Sequence, residues 1–287
     1  MRDLGAGPSL LSVNTATVRK QAGLLEIVEA CARHDIAAIS PWRDQVAAAG
    51  LDRAGRAIKD AGLKLSGYCR GGLVPATGEH VAAARDDNRR AVDEAATLGA
   101  PCLILVAGGL PQFARPGSMP SKDIVGARKM IEDGIAELLA HARQANLPLA
   151  LEPLHPMYAA DRAAVNTLAQ ALDIAERLDA GGTALGVAVD VYHTWWDPDL
   201  HAGIARAGRD RRLVDYHVCD WLVPTRDMLN DRGMTGDGVI DLRRIRQAVE
   251  EAGYTGFIEA EIFSDHWWSQ PIDRVLATCV ERYRTVV

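Results

Sequence analysis

Eight times along this chain a short apolar run of strand character is followed by a longer stretch whose apolar residues recur at helical spacing. The strand runs are 10–17, 36–41, 64–70, 101–107, 147–154, 184–192, 212–219 and 256–263. The helical stretches are 20–34, 43–62, 79–98, 122–145, 162–179, 198–208, 241–252 and 271–286. Several helices stop as helices should, with Gly just past the end: AAGL before Asp52, DAGLKL at 60–65 and EAGYTGF at 251–257. Parallel strands need a crossover between neighbours, and eight βα units close into a barrel of about 250 residues. The expected fold is therefore α/β, a single (β/α)8 TIM barrel, with residues 1–287 as one domain. An open doubly wound sheet would show fewer strands and a Gly-rich phosphate loop after an early one. Neither GxGxxG nor GxxxxGK[ST] occurs, so no nucleotide cofactor is expected.

Composition narrows the partners. The chain is 48% hydrophobic, enough for a large core, and carries a net charge of −6 without a Lys/Arg block. Nucleic-acid binding rests on phosphate neutralisation, so it is not expected. No apolar run is long enough to span a membrane. The N-terminus MRDLGAGPSLLSVNTATV lacks a basic segment followed by an apolar core, as a secretory signal would have. Five scattered cysteines without CxxC fit reduced thiols, and the expected location is the cytoplasm.

Four of the strand runs end in a residue that apolar strands rarely carry: LPLALEPLHP in Glu152, TALGVAVDVYH in Asp190, RLVDYHVCDW in His217 and GFIEAEIFS in Glu261. Strand side chains alternate between faces. Gly186, Ala188 and Asp190 share one face, with Val187, Val189 and Val191 on the other. The bulky face belongs against the helices, so Asp190 points inward. The same alternation groups Ala150 with Glu152, Asp215 with His217, and Glu259 with Glu261. All four residues lie near the C-terminal ends of their strands, where barrel enzymes keep their sites. Any one of them alone reads as a helix N-cap or a satisfied core group. Three carboxylates and an imidazole together cannot stay charged at close range without a cation. The oxygen-rich set suits Mn²⁺ first, with Mg²⁺, Co²⁺ and Zn²⁺ as alternatives. Glu259, one pleat deeper than Glu261, is the rival for the last position.

The motifs ALEPLHP, DVYH at 190–193, HVCD at 217–220, GDGVID at 236–241 and GYTGFIEAEIF ending at Glu261 occur in this order over nearly the whole chain. The chain resembles the xylose isomerase-like TIM-barrel superfamily, which includes ketose 3-epimerases, inosose isomerases and dehydratases, and endonuclease four-type nucleases. The resemblance implies that Glu152, Asp190, His217 and Glu261 bind one metal. It also implies that Glu152 and Glu261 face each other across the substrate and move its proton. A His near strand 2, which the nucleases would need for a three-metal cluster, is missing from ISPWRDQ. His193 matches a substrate-contacting residue of the epimerases.

Other candidates gather on the same rim. His155 follows Glu152 by three residues and could bond it or a hydroxyl, and Asp220 follows His217 by three and could orient its imidazole or bind a hydroxyl. Trp42 after strand 2 and Arg70 after strand 3 are expected at the substrate, and all six tryptophans map to C-terminal loops. Aromatic faces stack on sugar C–H surfaces, though lid packing or a subunit contact explains Trp195/Trp196 and Trp267/Trp268 equally well. Arg226 and Arg232 lie in one long loop and are not ranked by sequence. The expected activity is isomerisation or epimerisation of a ketose or keto-cyclitol through a metal-stabilised enediolate. A lyase or dehydratase acting on an inosose or 3-keto-glycoside uses the same residues. A non-catalytic sugar-binding subunit is the alternative of another class. With no basic phosphate cradle the substrate is expected to be unphosphorylated, and homo-oligomerisation is expected only by analogy.

Overall fold

The computed structural model describes residues 1–72, 80–111 and 121–287. Eight strand positions appear in chain order: β1 Leu11–Asn14, β2 Ala38–Ser40, β3 in two stretches (Lys64–Leu65 and Tyr68–Gly71), β4 Leu103–Val106, β5 Leu149–Glu152, β6 Leu185–Asp190, β7 Leu213–Val218 and β8 Ile258–Ala260. The helices between them are α1 Leu24–Arg33, α2 in two segments (Arg43–Ala49 and Leu51–Asp60), α3 His80–Leu98, α4 Ile124–Gln144, α5 Leu168–Leu178, α6 Leu200–Arg209, α7 Leu242–Glu251 and α8 Ile272–Thr285. The sheet order runs from the first stretch of β3 through β2, β1, β8, β7, β6, β5 and β4 to the second stretch of β3. A parallel sheet that begins and ends on one strand position is a TIM barrel. No helix among the described residues is long and apolar enough to cross a membrane.

An element forms in each of the eight expected strand and helical stretches, with two internal differences; the helix expected over 162–179 begins only at Leu168, and residue 79 of the stretch 79–98 lies outside the described residues. The helix expected over 43–62 divides at Gly50, whose φ of +85° neither an α-helix nor most L side chains adopt. The third strand is interrupted at Ser66 and Gly67. Both of its stretches still run beside β2, with Ser66 N donating to Ile39 O at 3.1 Å and Cys69 N to Pro41 O at 3.0 Å. The Ser66 hydroxyl at the interruption bonds Ser12 Oγ at 2.6 Å and Glu259 Oε2 at 2.7 Å.

Close contacts divide the chain into two units, residues 1–69 with 215–287, and residues 70–214. In the first, β1 pairs with β2 and β8, and β8 pairs with β7 so that Glu259 stands opposite His217. The apolar faces of α1 (Leu24, Ile27, Val28, Cys31) and α8 (Val275, Leu276, Cys279, Tyr283) are buried. Each fully buried aliphatic side chain contributes about 1.5–3 kcal/mol. The chain ends are tied to α7: Arg246 donates to Val287 O at 2.9 Å and to Glu250, which also accepts from Arg2.

In the second unit, β4, β5 and β6 pair in register, with Leu103 opposite Leu149 and Leu149 opposite Leu185. Nearly every side chain in these strands is buried, as expected of parallel strands covered on both faces. Small residues on the inner face are a packing requirement. A Cβ at Gly186 would lie 2.4 Å from both Arg212 O and Val214 Cγ2. The start of β6 is anchored by Asp179, whose carboxylate accepts from Ala184 N at 2.8 Å and Leu185 N at 3.0 Å and pairs with Arg143. Burial pushes the Asp179 pKa up, but Arg143 and these backbone donors outweigh it and hold it below the usual range. That anchor sets the register of a strand whose last residue is Asp190.

Candidate metal centre

Glu152 is the last residue of β5 and Asp190 the last of β6, and both are buried. Pro153 follows Glu152 and cannot donate to a ladder, so the strand ends there. Asp190 serves two ends. Its Oδ1 accepts from Tyr192 N at 2.7 Å and starts the helical turn Val191–Thr194, while its Oδ2 lies 3.6 Å from His193 Nε2. The N-cap bond engages Oδ1, and Oδ2 faces His193. His193, also buried, has Nε2 3.9 Å from Glu152 Oε1, and its Nδ1 accepts from His155 N at 3.3 Å. Since Nδ1 is the acceptor, Nε2 carries the proton and faces the two carboxylates. The His155 ring caps the next turn by accepting from Met157 N at 3.3 Å, and it packs edge-on to Trp196. Burial holds its pKa below the ordinary value.

In the other unit His217 and Glu261 are buried with Asp215 and Glu259. His217 Nδ1 lies 3.8 Å from Glu261 Oε2, and its Nε2 lies 3.3 Å from Asp215 Oδ2 and 3.7 Å from Glu259 Oε1. Strand β8 ends one residue before Glu261, whose N–H still donates to Val218 O at 3.1 Å. Thr17 Oγ1 ties the flanking residues by donating to Ala260 O and accepting from Ile262 N. Both oxygens of Glu261 accept hydrogen bonds: Oε1 from Asn14 Nδ2 at 2.9 Å and Oε2 from Arg232 Nη1 at 3.0 Å. Glu259 accepts from Asn14 Nδ2 at 2.8 Å and from the Ser66 hydroxyl at 2.7 Å. Burial, with Asp215 and Glu261 adding to it, pushes the Glu259 carboxyl up to about 7, against the pull of His217 and Ser66.

Among the described residues, two sets bring potential ligand atoms within 4.8 Å of one another: Glu152, Asp190, His217 and Glu261, and Asp215, His217 and Glu259. Three carboxylates and an imidazole held this close and this buried are a poor assembly of bare charges and a good divalent-cation cage. The smaller set offers three ligands instead of four, and its carboxylates also serve neighbouring donors. Asp215 Oδ1 accepts from Tyr216 N at 2.9 Å and the Tyr254 hydroxyl at 3.2 Å, and Glu259 serves Asn14 and Ser66.

Structure also sorts the rim. Arg232 is buried, bonds Glu261 and lies over the Phe263 ring, whereas the Arg226 side chain is 67% exposed and pairs with Asp231. Asp220 holds the loop that carries Arg232. Its carboxylate accepts from Trp221 N at 2.9 Å, Gly236 N at 2.9 Å and Ile240 N at 3.0 Å. A short antiparallel pairing sets Arg232 opposite Trp221. Trp42 is half-buried at the start of α2, edge-on to Phe263 at 5.4 Å, with its indole Nε1 donating to Asn14 Oδ1 at 2.7 Å. Arg70 is half-buried in the second stretch of β3. Trp268 packs inward, donating to Ala16 O at 2.8 Å with Lys20 over its ring. Sequence reasoning missed Asn14 and Ser66. The available signal for Asn14 was the pattern used for the other four, a polar residue closing an apolar strand run.

Comparison with known proteins agrees with this architecture. The sequence profile of the family described as xylose isomerase-like TIM barrel matches residues 20–281. Among solved structures, the protein SMc04130 from Sinorhizobium meliloti 1021 is 61% identical, with 96% of this chain and 98% of that chain covered and a TM-score of 0.91. An IOLI protein with a bound zinc atom shares the fold at 19% identity, 95% of each chain and a TM-score of 0.75. The 3-keto-D-glucoside 4-epimerase YcjR from E. coli does so at 19% identity, 96% of this chain, 99% of that one and a TM-score of 0.74. A D-allulose 3-epimerase from Methylomonas sp. does so at 16% identity, 98% of this chain, 99% of that one and a TM-score of 0.74. Among curated proteins, none matches. By its sequence profile and its barrel, this chain belongs to the xylose isomerase-like TIM-barrel family.

Proposed function

We propose that the chain is a divalent-metal-dependent isomerase or epimerase acting on a ketose or keto-cyclitol. The observation that carries this reading is the buried four-ligand set of Glu152, Asp190, His217 and Glu261 at the ends of β5 to β8. Two of the structurally similar proteins support it by name, since an allulose 3-epimerase and a 3-keto-glucoside 4-epimerase both invert a carbon next to a carbonyl. The IOLI structure with zinc supports a divalent ion in this fold, and the oxygen-rich donor set favours Mn²⁺.

A bound divalent ion would polarise the substrate carbonyl and acidify the neighbouring C–H. Glu152 and Glu261 are the proton carriers, one removing the proton and the other returning it. Return to the opposite face gives an epimer, and return to the adjacent carbon gives an aldose–ketose pair. His193 presents its Nε2–H toward Glu152 and Asp190 and hydrogen-bonds a substrate oxygen there. Arg232 and Asn14 hold Glu261 in one orientation, so little reorganisation accompanies proton transfer. Trp42 and Phe263 supply an aromatic wall for sugar C–H groups.

The test is proton exchange. The protein is incubated in D₂O with Mn²⁺ and a panel of ketoses, inososes and 3-keto-glycosides, with EDTA and Glu261→Gln controls. Metal-dependent deuteration at one carbon next to a carbonyl, abolished in the variant, is the expected result, and the product distinguishes epimerase from lyase. Tight metal binding without exchange on any member contradicts the reading and favours a sugar-binding role.

A further inference from the structure

We infer that Asn14 is a positioning residue for Glu261 and couples that carboxylate to the indole of Trp42. The inference rests on the metal-site reading above and concerns how the site is held in shape.

The Asn14 side chain is fully buried at the end of β1, and its amide has no spare capacity. Its two N–H groups go to two different carboxylates, Glu259 Oε1 at 2.8 Å and Glu261 Oε1 at 2.9 Å. Its carbonyl accepts from Trp42 Nε1 at 2.7 Å and from Ala16 N at 3.0 Å. A flipped amide would set its oxygen against both carboxylates and its N–H groups against two other donors, so only one orientation is tolerated. That orientation decides which way Glu261 turns. With Asn14 on Oε1 and Arg232 on Oε2, the carboxylate plane is fixed from both sides. Removing Arg232 leaves one hinge and removing Asn14 leaves the other, and neither alone fixes the plane.

The coupling to Trp42 follows from the same amide. Trp42 begins the first segment of α2 and packs edge-on to Phe263, two residues after Glu261. Its backbone N–H is held separately, donating to Thr15 Oγ1 at 3.1 Å. Trp42 is therefore anchored at its backbone by the turn after β1 and at its indole by Asn14. A shift of Glu261 on cation binding reaches the indole through one shared amide, without a backbone movement. Outer partners of this kind typically change metal affinity or activity by about 10–100-fold when removed.

The experiment measures Mn²⁺ affinity directly, from the electron paramagnetic resonance signal of free Mn²⁺, on folded protein checked by circular dichroism. Asn14→Ser keeps a cap for the Ala16 N–H but cannot reach the carboxylates. Trp42→Phe keeps an aromatic ring while removing the indole donor together with the fused five-membered ring. Expected is a Mn²⁺ dissociation constant weakened about 10–100-fold in Asn14→Ser and several-fold in Trp42→Phe. A change in Trp42 emission on Mn²⁺ binding is also expected, present in wild type and absent in Asn14→Ser. Once a substrate is known, the Asn14→Ser defect falls on kcat rather than KM, since Asn14 does not touch substrate. A folded Asn14→Ser protein that binds Mn²⁺ within twofold of wild type overturns the inference while leaving the metal site standing. If that variant does not fold, an unchanged affinity in Trp42→Phe overturns it instead. A wild type that binds no Mn²⁺, or binds it equally well as Glu261→Gln, overturns the metal-site reading and this inference with it.

Discussion

Replacing Arg232 with Met separates the charge on Glu261 from its counter-ion. Both side chains of this pair are 5% exposed, and the guanidinium also donates to the Glu261 carbonyl at 3.2 Å. Methionine is close in volume and keeps contact with Phe263, so the change is mainly electrostatic. Removing one partner of a buried pair typically costs about 3–5 kcal/mol, because the remaining charge is left without compensation. Asn14 still serves the other oxygen, which puts the expected loss near the lower end of that range. A divalent cation held by the proposed four-ligand set would supply positive charge to the same carboxylate. Unlike the neutral Asn14, the Arg232 guanidinium repels a cation at this site, and its removal outweighs the looser Glu261 plane. The loss should therefore be largest in EDTA and smaller in saturating Mn²⁺, by about 1.4 kcal/mol if the variant binds the ion tenfold more tightly. The assay is urea unfolding followed by tryptophan fluorescence and circular dichroism, with and without Mn²⁺. A loss below about 1 kcal/mol in EDTA, against the buried-pair expectation, would refute the argument. So would an equal or greater loss in Mn²⁺.

Three further outcomes are expected. Gly186→Ala should destabilise by about 1–3 kcal/mol as overpacked sites do, and by the upper part of that range, because the Cβ would meet a backbone oxygen, Arg212 O, at 2.4 Å; an unchanged urea midpoint would contradict the packing. Glu259→Gln should flatten the pH dependence of the metal-free protein. The carboxyl is raised in the fold from 4.5 to about 7, so its contribution is full below the unfolded value and is lost as pH rises through the folded one. Wild type should thus lose up to about 3 kcal/mol relative to the variant between pH 4.5 and pH 8, and parallel stability curves would contradict this. Asp220→Ala should release the loop carrying Arg232, read as lost hydrogen-exchange protection at Gly236 and Ile240, the two amides it holds across the loop.

The eight strands and their inner faces were legible because apolar runs at regular intervals leave few other ways to bury them. Glu152, Asp190, His217 and Glu261 stood out because a charged or imidazole side chain closing such a run is anomalous. Asn14 closes a run in the same way, but Asn after a strand is ordinary turn chemistry. Its importance lies in hydrogen bonds to residues 245 and 247 positions away. Arg226 and Arg232 look alike in PTRDMLNDRG, and only burial separates them, since one meets solvent and the other meets Glu261. Asp220 was expected beside the His217 imidazole or a substrate hydroxyl. Its carboxylate is observed holding three backbone N–H groups, and hydrogen bonds across a loop of this length are not encoded in local spacing. The interruption of β3 likewise had no local signal beyond Gly67, and the Ser66 bond to Glu259 joins residues far apart in sequence.

The most direct test of the proposed metal centre is a crystal grown with Mn²⁺ and measured at the manganese absorption edge. A single anomalous peak coordinated by Glu152, Asp190, His217 and Glu261, and absent from Glu261→Gln crystals, is the result predicted here. A peak among Asp215, His217 and Glu259 instead, or no peak at either set, would contradict it.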